Sequence, residues 1–208
     1  MKNQSGAGLI EALVAILVLS IGLMGMIGMQ TASFRYEQTS WVRSALANNI
    51  SGLADRIRAN PDSVSTAYSF GNVSGSATTA YAIERAAIIA NPAAYFTPAT
   101  DCATTACSPS ARAAYDLVVW RQTLNQQMPG SAGFIVPTGT KGIDLRYTIT
   151  AAWFDKDQLN TGTPPALASP SLCSATDVGI AARNCCPAFL GSDTALAGVR
   201  CTNLEIVP

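Results

Sequence analysis

Residues 5–34 read SGAGLIEALVAILVLSIGLMGMIGMQTASF, and this stretch decides the fold. From Ala12 to Phe34 there is no charged side chain, and Leu9 to Met29 is almost wholly Leu, Ile, Val, Ala, Met and Gly. A helix needs about 20 apolar residues to cross a hydrocarbon layer, so this run is long enough to span one. A cleaved secretory signal has a basic start, a shorter apolar core and a small-x-small exit. Here the basic start is Lys2 alone, and Thr31-Ala32-Ser33 fits the exit poorly. Inside the run stands one carboxylate, Glu11. A charge at the centre of a spanning helix costs about 2.5 kcal/mol or more, so its position calls for a reason.

The rest of the composition narrows the function classes. The chain has 208 residues, 49% hydrophobic and 12% charged, with 13 basic and 13 acidic side chains, no histidine and six cysteines. Its length suits one or two domains with a real core. A formal charge of zero gives no electrostatic pull toward nucleic acid. Without histidine there is no Ser-His-Asp or Cys-His centre and no His-ligated metal site. The charged fraction is about half the usual quarter.

The neighbours of Glu11 supply the reason. If the chain is cut after Gly6, Ala7 becomes the first residue and its new α-amine is positive, with an ordinary pKa near 8. In a bundle of such helices, Glu11 of one copy can neutralise the Ala7 amine of another, offsetting both burial costs. A boundary carboxylate reaching the headgroups is the plainer alternative.

The run Gly6-x-x-Leu9-Ile10-Glu11 before a long apolar helix resembles the type III leader of type IV prepilins and pseudopilins. Ala7 stands where that family usually has Phe. The resemblance implies cleavage between Gly6 and Ala7 by a prepilin peptidase, N-methylation of Ala7, and packing of the helix into a filament with Glu11 as the docking carboxylate. The expected organisation is a leader at 1–6, a transmembrane and filament-core helix at 7–34 and an amphipathic continuation at 35–61. A periplasmic α+β domain at 62–159 and a cysteine-rich C-terminal extension at 160–208 follow.

Beyond Arg35 the helical pattern continues. Val42, Leu46, Ile50, Leu53 and Ile57 form one stripe, Arg43, Asp55, Arg56 and Arg58 fall off it, and Asn60-Pro61 ends it. A helix from Ala7 to Ala59 is about 80 Å long at 1.5 Å per residue. Gly22, Gly25 and Gly28 allow either close helix packing or a locally weak segment. Asp55, Arg56 and Arg58 read as a solvated face. The segment Leu53–Pro61, with Ile21–Met26 and the block from Asp116-Leu-Val-Val-Trp120 to Trp153, is similar to PilV-type minor pilins.

In the remaining chain Ser63–Thr79 reads as loop and Tyr81–Ala90 as a short helix stopped by Asn91-Pro92. Ala113, Leu117, Trp120, Leu124 and Met128 follow helical spacing up to Pro129-Gly130. Ile143, Leu145, Tyr147, Ile149, Ala151 and Trp153 alternate with polar residues, predicting a half-buried strand, and Val199–Val207 offers another. Long helix, short helices and antiparallel strands together predict an α+β fold in which the helix packs on a small sheet.

All six cysteines follow residue 100: Cys102, Cys107, Cys173, Cys185, Cys186 and Cys201. There is no C-x-x-C pair and no histidine to help a zinc site. An even count beyond a membrane span fits disulfides in an oxidising periplasm. Cys102–Cys107 is the expected local bridge. Of the other four, Cys173 and Cys201 are each expected to take one of the neighbouring pair Cys185 and Cys186, in either order. Asp155, Asp157 and Asn160 could open a calcium loop, but the glycine and terminal glutamate of an EF-hand are missing and a polar turn is expected instead.

No catalytic residue, metal or cofactor is expected. A membrane-anchored enzyme would need a Ser/Lys or paired-carboxylate site, and neither Lys141 nor Lys156 has a serine in S-x-x-K spacing. A DNA-binding face would need clustered basic residues, and loss of Lys2 leaves fewer basic than acidic ones. The resemblance implies a minor pilin that helps initiate or cap a type IV pilus, supporting adhesion and twitching motility. Its implied partners are other minor pilins, the major pilin, a tip adhesin and the inner-membrane assembly platform, with the chain first in the inner membrane and then in the pilus. The alternative is a minor pseudopilin of a type II secretion system.

Overall fold

In the computed structural model, residues 7–71, 80–128, 130–156, 158–192 and 194–208 are described. The first helix, α1, runs unbroken over Ala7–Arg58 and ends one turn before Pro61, where the residue ahead of proline leaves the helical region. The chain divides into two compact units within α1, one up to Ser44 and one over Ala45–Pro208. In the first, the side chains described from Gly8 to Phe34 are exposed. The second holds the core.

That core is an α+β arrangement: α2 (Ala80–Ala90), α3 (Pro92–Tyr95), α4 (Pro109–Gln127), β1 (Ala132–Thr138), β2 (Arg146–Phe154), α5 (Ile180–Asn184) and β3 (Val199–Ile206). The three strands form one antiparallel sheet in the order β1-β2-β3, with Ala132 opposite Ala152 and Tyr147 opposite Ile206. Ser108 caps α4 by accepting from the Ala111 N–H at 3.3 Å, with Pro109 at the first turn where its missing N–H costs nothing. Asn91 does the same for α3.

The strand around residue 150 differs from its expectation in two ways. It starts at Arg146, and Ile143 lies in the β1–β2 hairpin loop, 84% exposed. That loop turns on Gly139 and Gly142, both with φ near +80°, and on the Asp144 carboxylate, which accepts from the Thr140 N–H at 2.8 Å. Reversing the chain out of β1, a strand the alternation did not reveal, uses up the residues between 138 and 146. Second, β2 is buried on both faces. Ile149 and Ala151 lie on the face of Gly133, whose Cα stands against Trp120 and Leu124 of α4. Thr150 and Ala152 lie on the other, covered by a cluster of Ala80, Tyr81, Phe134, Cys186, Leu190, Leu196 and Cys201.

Residues beyond 160 therefore share this core: they supply the third strand and cover the sheet's second face. The Ser63–Thr79 stretch also carries more structure than a loop. Ser65–Tyr68 is a short 3-10 turn with Tyr68 fully buried, and Phe70 exchanges backbone hydrogen bonds with Ile135 at 2.8 and 3.0 Å. Residues 72–79 lie outside the described ones.

Arg56 is not simply solvated. It pairs at 2.8 Å with Asp116 of α4, whose side chain is 5% exposed. The other Asp116 oxygen accepts from the Tyr68 hydroxyl at 2.9 Å, and Asn60 donates to Tyr68 and to the Pro109 carbonyl. One carboxylate thus joins α1, the 65–68 turn and α4, with both of its oxygens answered. A second knot centres on Arg121, whose guanidinium lies 3.6 Å from the Phe70 ring centroid and donates to the Tyr95 hydroxyl, with Glu84 at 3.8 Å.

Burial raises the pKa of Tyr68, Tyr81, Tyr95 and Tyr147 above the ordinary tyrosine value, for Tyr68 and Tyr95 strongly. A phenol that ionises only when unfolded makes unfolding more favourable once pH exceeds its unfolded pKa near 10. These four groups should leave stability unchanged well below pH 10 and lower it above, Tyr68 and Tyr95 each by up to about 1.4 kcal/mol per pH unit. Urea midpoints from pH 8 to 11.5 check this; a flat profile above pH 10 would contradict the burial.

Candidate functional site

The first turns of α1 hold the residues expected to be processed and to dock. Ala7 opens the helix and Glu11 follows one turn later, exposed. Gly6 and the residues before it lie outside the described ones. From Gly8 to Phe34 the helix is long and apolar enough to cross a membrane, and none of that window is buried inside the protein. Two hydroxyls within it do not contradict an apolar setting. Ser20 donates to the Leu17 carbonyl at 2.7 Å and Thr31 to the Ile27 carbonyl at 2.8 Å, so neither has an unanswered O–H. At Gly8, Gly22, Gly25 and Gly28 an added Cβ would meet nothing within 4 Å. Among the described residues no contact requires glycine at these positions, which leaves both close packing with other helices and local weakness open as reasons.

The cysteines pair as Cys102–Cys107, Cys173–Cys185 and Cys186–Cys201, and none is free. The adjacent Cys185 and Cys186 thus hold two neighbours, the loop opened by Cys173 and the strand β3 carrying Cys201. Behind them Asn203 of β3 is 9% exposed and acts as a polar hub. Its amide donates to the carbonyls of Ala182 and Cys185 at 2.9 and 2.8 Å, and its oxygen accepts from Thr150 at 2.8 Å. Sequence gave no sign of Asn203, because an isolated asparagine in a strand carries no pattern.

Among the described residues no group of three or more His, Cys, Asp or Glu side chains could hold a metal ion. Asp155 pairs with Arg200 at 2.6 Å. The Asn160 oxygen accepts from the Gly162 and Ala166 N–H groups, closing a polar turn. Asp157 lies outside the described residues. Lys141 is tied by its ammonium to the carbonyls of Pro61 and Ser63 beyond the end of α1. These charged groups serve the fold.

No curated protein and no solved structure matches the chain. One family model does, over residues 1–27, and its description is the prokaryotic N-terminal methylation motif. The match covers Gly6, Ala7 and Glu11 and runs into the apolar half of α1, and it points to a structural protein rather than an enzyme. The N-terminal segment thus carries the motif of type IV pilin-like proteins, and that motif supports a place in a pilus or pseudopilus.

Proposed function

We propose that the chain is a minor pilin of a type IV pilus, acting in the initiation or tip complex and supporting adhesion and twitching motility. A prepilin peptidase cuts between Gly6 and Ala7, and Ala7 is N-methylated. The helix Gly8–Phe34 anchors the product in the inner membrane, with the disulfide-bonded remainder in the periplasm. Glu11 then neutralises the Ala7 amine of a neighbouring subunit as the helices pack. The partners are other minor pilins, the major pilin, a tip adhesin and the assembly platform.

One observation carries this reading: the methylation motif at 1–27 is continuous with an exposed apolar helix whose single charge from Ala7 to Phe34 is Glu11. The three disulfides support an oxidising compartment. N-terminal sequencing of the mature protein tests it. The expected first residue is methylated Ala7, and a start near Phe34 would replace the proposal with ordinary secretion. Deleting the gene should abolish or thin the pili while leaving type II secretion intact; the reverse phenotype would make the chain a minor pseudopilin.

A further inference from the structure

Three large aromatic side chains follow the apolar run in the first unit: Phe34, Tyr36 and Trp41, which are 68%, 79% and 54% exposed. Exposure does not separate them, but axial distance does. From Glu11 to Phe34 a helix rises about 35 Å, and a hydrocarbon core of about 30 Å crossed at a modest tilt fits between them. Glu11 and Phe34 then stand just outside its two boundaries. Tyr36 lies about 3 Å farther along and Trp41 about 10 Å farther than Phe34. The headgroup layer on one side is only about 5–7 Å deep, so it holds Phe34 and Tyr36 and leaves Trp41 beyond it. Moving the helix to bring Trp41 to the outer edge of that layer would carry Glu37, about 6 Å nearer the core, down to the hydrocarbon boundary, where its charge is disfavoured.

The angular positions agree. At 100° per residue Phe34 and Tyr36 point to nearly opposite sides of α1, about 200° apart. A helix docking one face on a protein would place its aromatic anchors on that face. A helix surrounded by lipid meets headgroups all round.

We infer that Phe34 and Tyr36 form an aromatic collar that seats α1 at the lipid headgroup layer, on the side of the membrane occupied by residues 45–208. The collar sets the depth of the helix and so holds Glu11 at the opposite boundary, away from the membrane centre. Tyr36 favours this zone because its ring displaces water while its hydroxyl stays hydrated, and Phe34, which has no polar atom, takes the inner, apolar side of it. The inference rests on the membrane-anchored reading.

The test uses the full chain in phosphatidylcholine–phosphatidylglycerol vesicles containing lipid brominated either near the headgroup or near the chain end. Tryptophan is introduced singly as Phe34→Trp, Tyr36→Trp or Val18→Trp, with the parent chain as the baseline for Trp41, Trp120 and Trp153. The added signal of Phe34→Trp and Tyr36→Trp should be blue-shifted and quenched most by the shallow bromines. That of Val18→Trp should be quenched most by the deep ones, and the parent signal by neither. Quenching of Phe34→Trp and Tyr36→Trp by deep bromines, or by none, would overturn the collar while a quenched Val18→Trp upholds the span. An unquenched Val18→Trp would overturn the span and the collar with it.

Discussion

Replacing Cys186 and Cys201 together by alanine should lower the stability of the Ala45–Pro208 unit by about 3–5 kcal/mol, the largest loss expected from any of the three disulfides. The bridge spans a sequence separation of 15, and closing a loop of that size in the unfolded chain is worth about 3 kcal/mol in the chain-entropy account. Its two residues are also 0% and 3% exposed within the cluster on the sheet's second face, so alanine leaves voids among Phe134, Leu190 and Leu196. Cys102–Cys107 provides the comparison. It spans only 5 residues and Cys107 is half-exposed, so its removal should cost about 2 kcal/mol. Urea unfolding of the full chain in detergent, followed by the fluorescence of buried Trp120, measures both variants. If the Cys186/Cys201 variant loses no more than the Cys102/Cys107 variant, residues 186–201 are not holding the core as described.

That bridge also shows where sequence reading stopped. The α1 stripe from Leu46 to Ile57 and the α4 stripe from Ala113 to Leu124 were legible because helical periodicity persists over several turns, and both are buried. β3 was legible as an alternating run at the end of the chain. β1 was not, since its seven residues include Gly133 and Pro137, which read as turn. Gly133 is there because a Cβ would meet the Trp120 ring at 2.5 Å, a reason that exists only once α4 lies against the sheet. The burial of Thr150 and Ala152 was hidden likewise: alternation says which residues share a face, not whether distant chain covers the second one. The Arg56–Asp116–Tyr68 knot joins three segments far apart in sequence, and no local pattern marks such a meeting. At the candidate site the balance reverses. A leader, a carboxylate and an apolar run are local by nature, so Gly6, Ala7 and Glu11 could be read directly, and the family-model match covers those residues.

Glu11→Ala should leave the chain in the membrane at its normal level and remove it from assembled pili, and these effects have opposite energetic signs. A carboxylate costs about 2.5 kcal/mol or more at the centre of a spanning helix and less at its boundary, so deleting Glu11 can only ease insertion. The apolar run from Ala12 to Phe34 is untouched. Weaker anchoring therefore cannot account for a loss of assembly. In the proposed docking, what the variant lacks is the partner for a positive α-amine at Ala7, which would keep its charge near neutral pH as it is drawn among neighbouring apolar helices. Glu11→Gln preserves size and removes only the charge, so it should fail as Glu11→Ala does; Glu11→Asp keeps the charge and should retain part of the function. Immunoblots of membrane and sheared-pilus fractions read the two steps separately. If Glu11→Ala reaches the pilus fraction at the normal level, charge pairing at Ala7 is not what docks the subunit. If it is lost from the membrane as well, Glu11 acts before assembly.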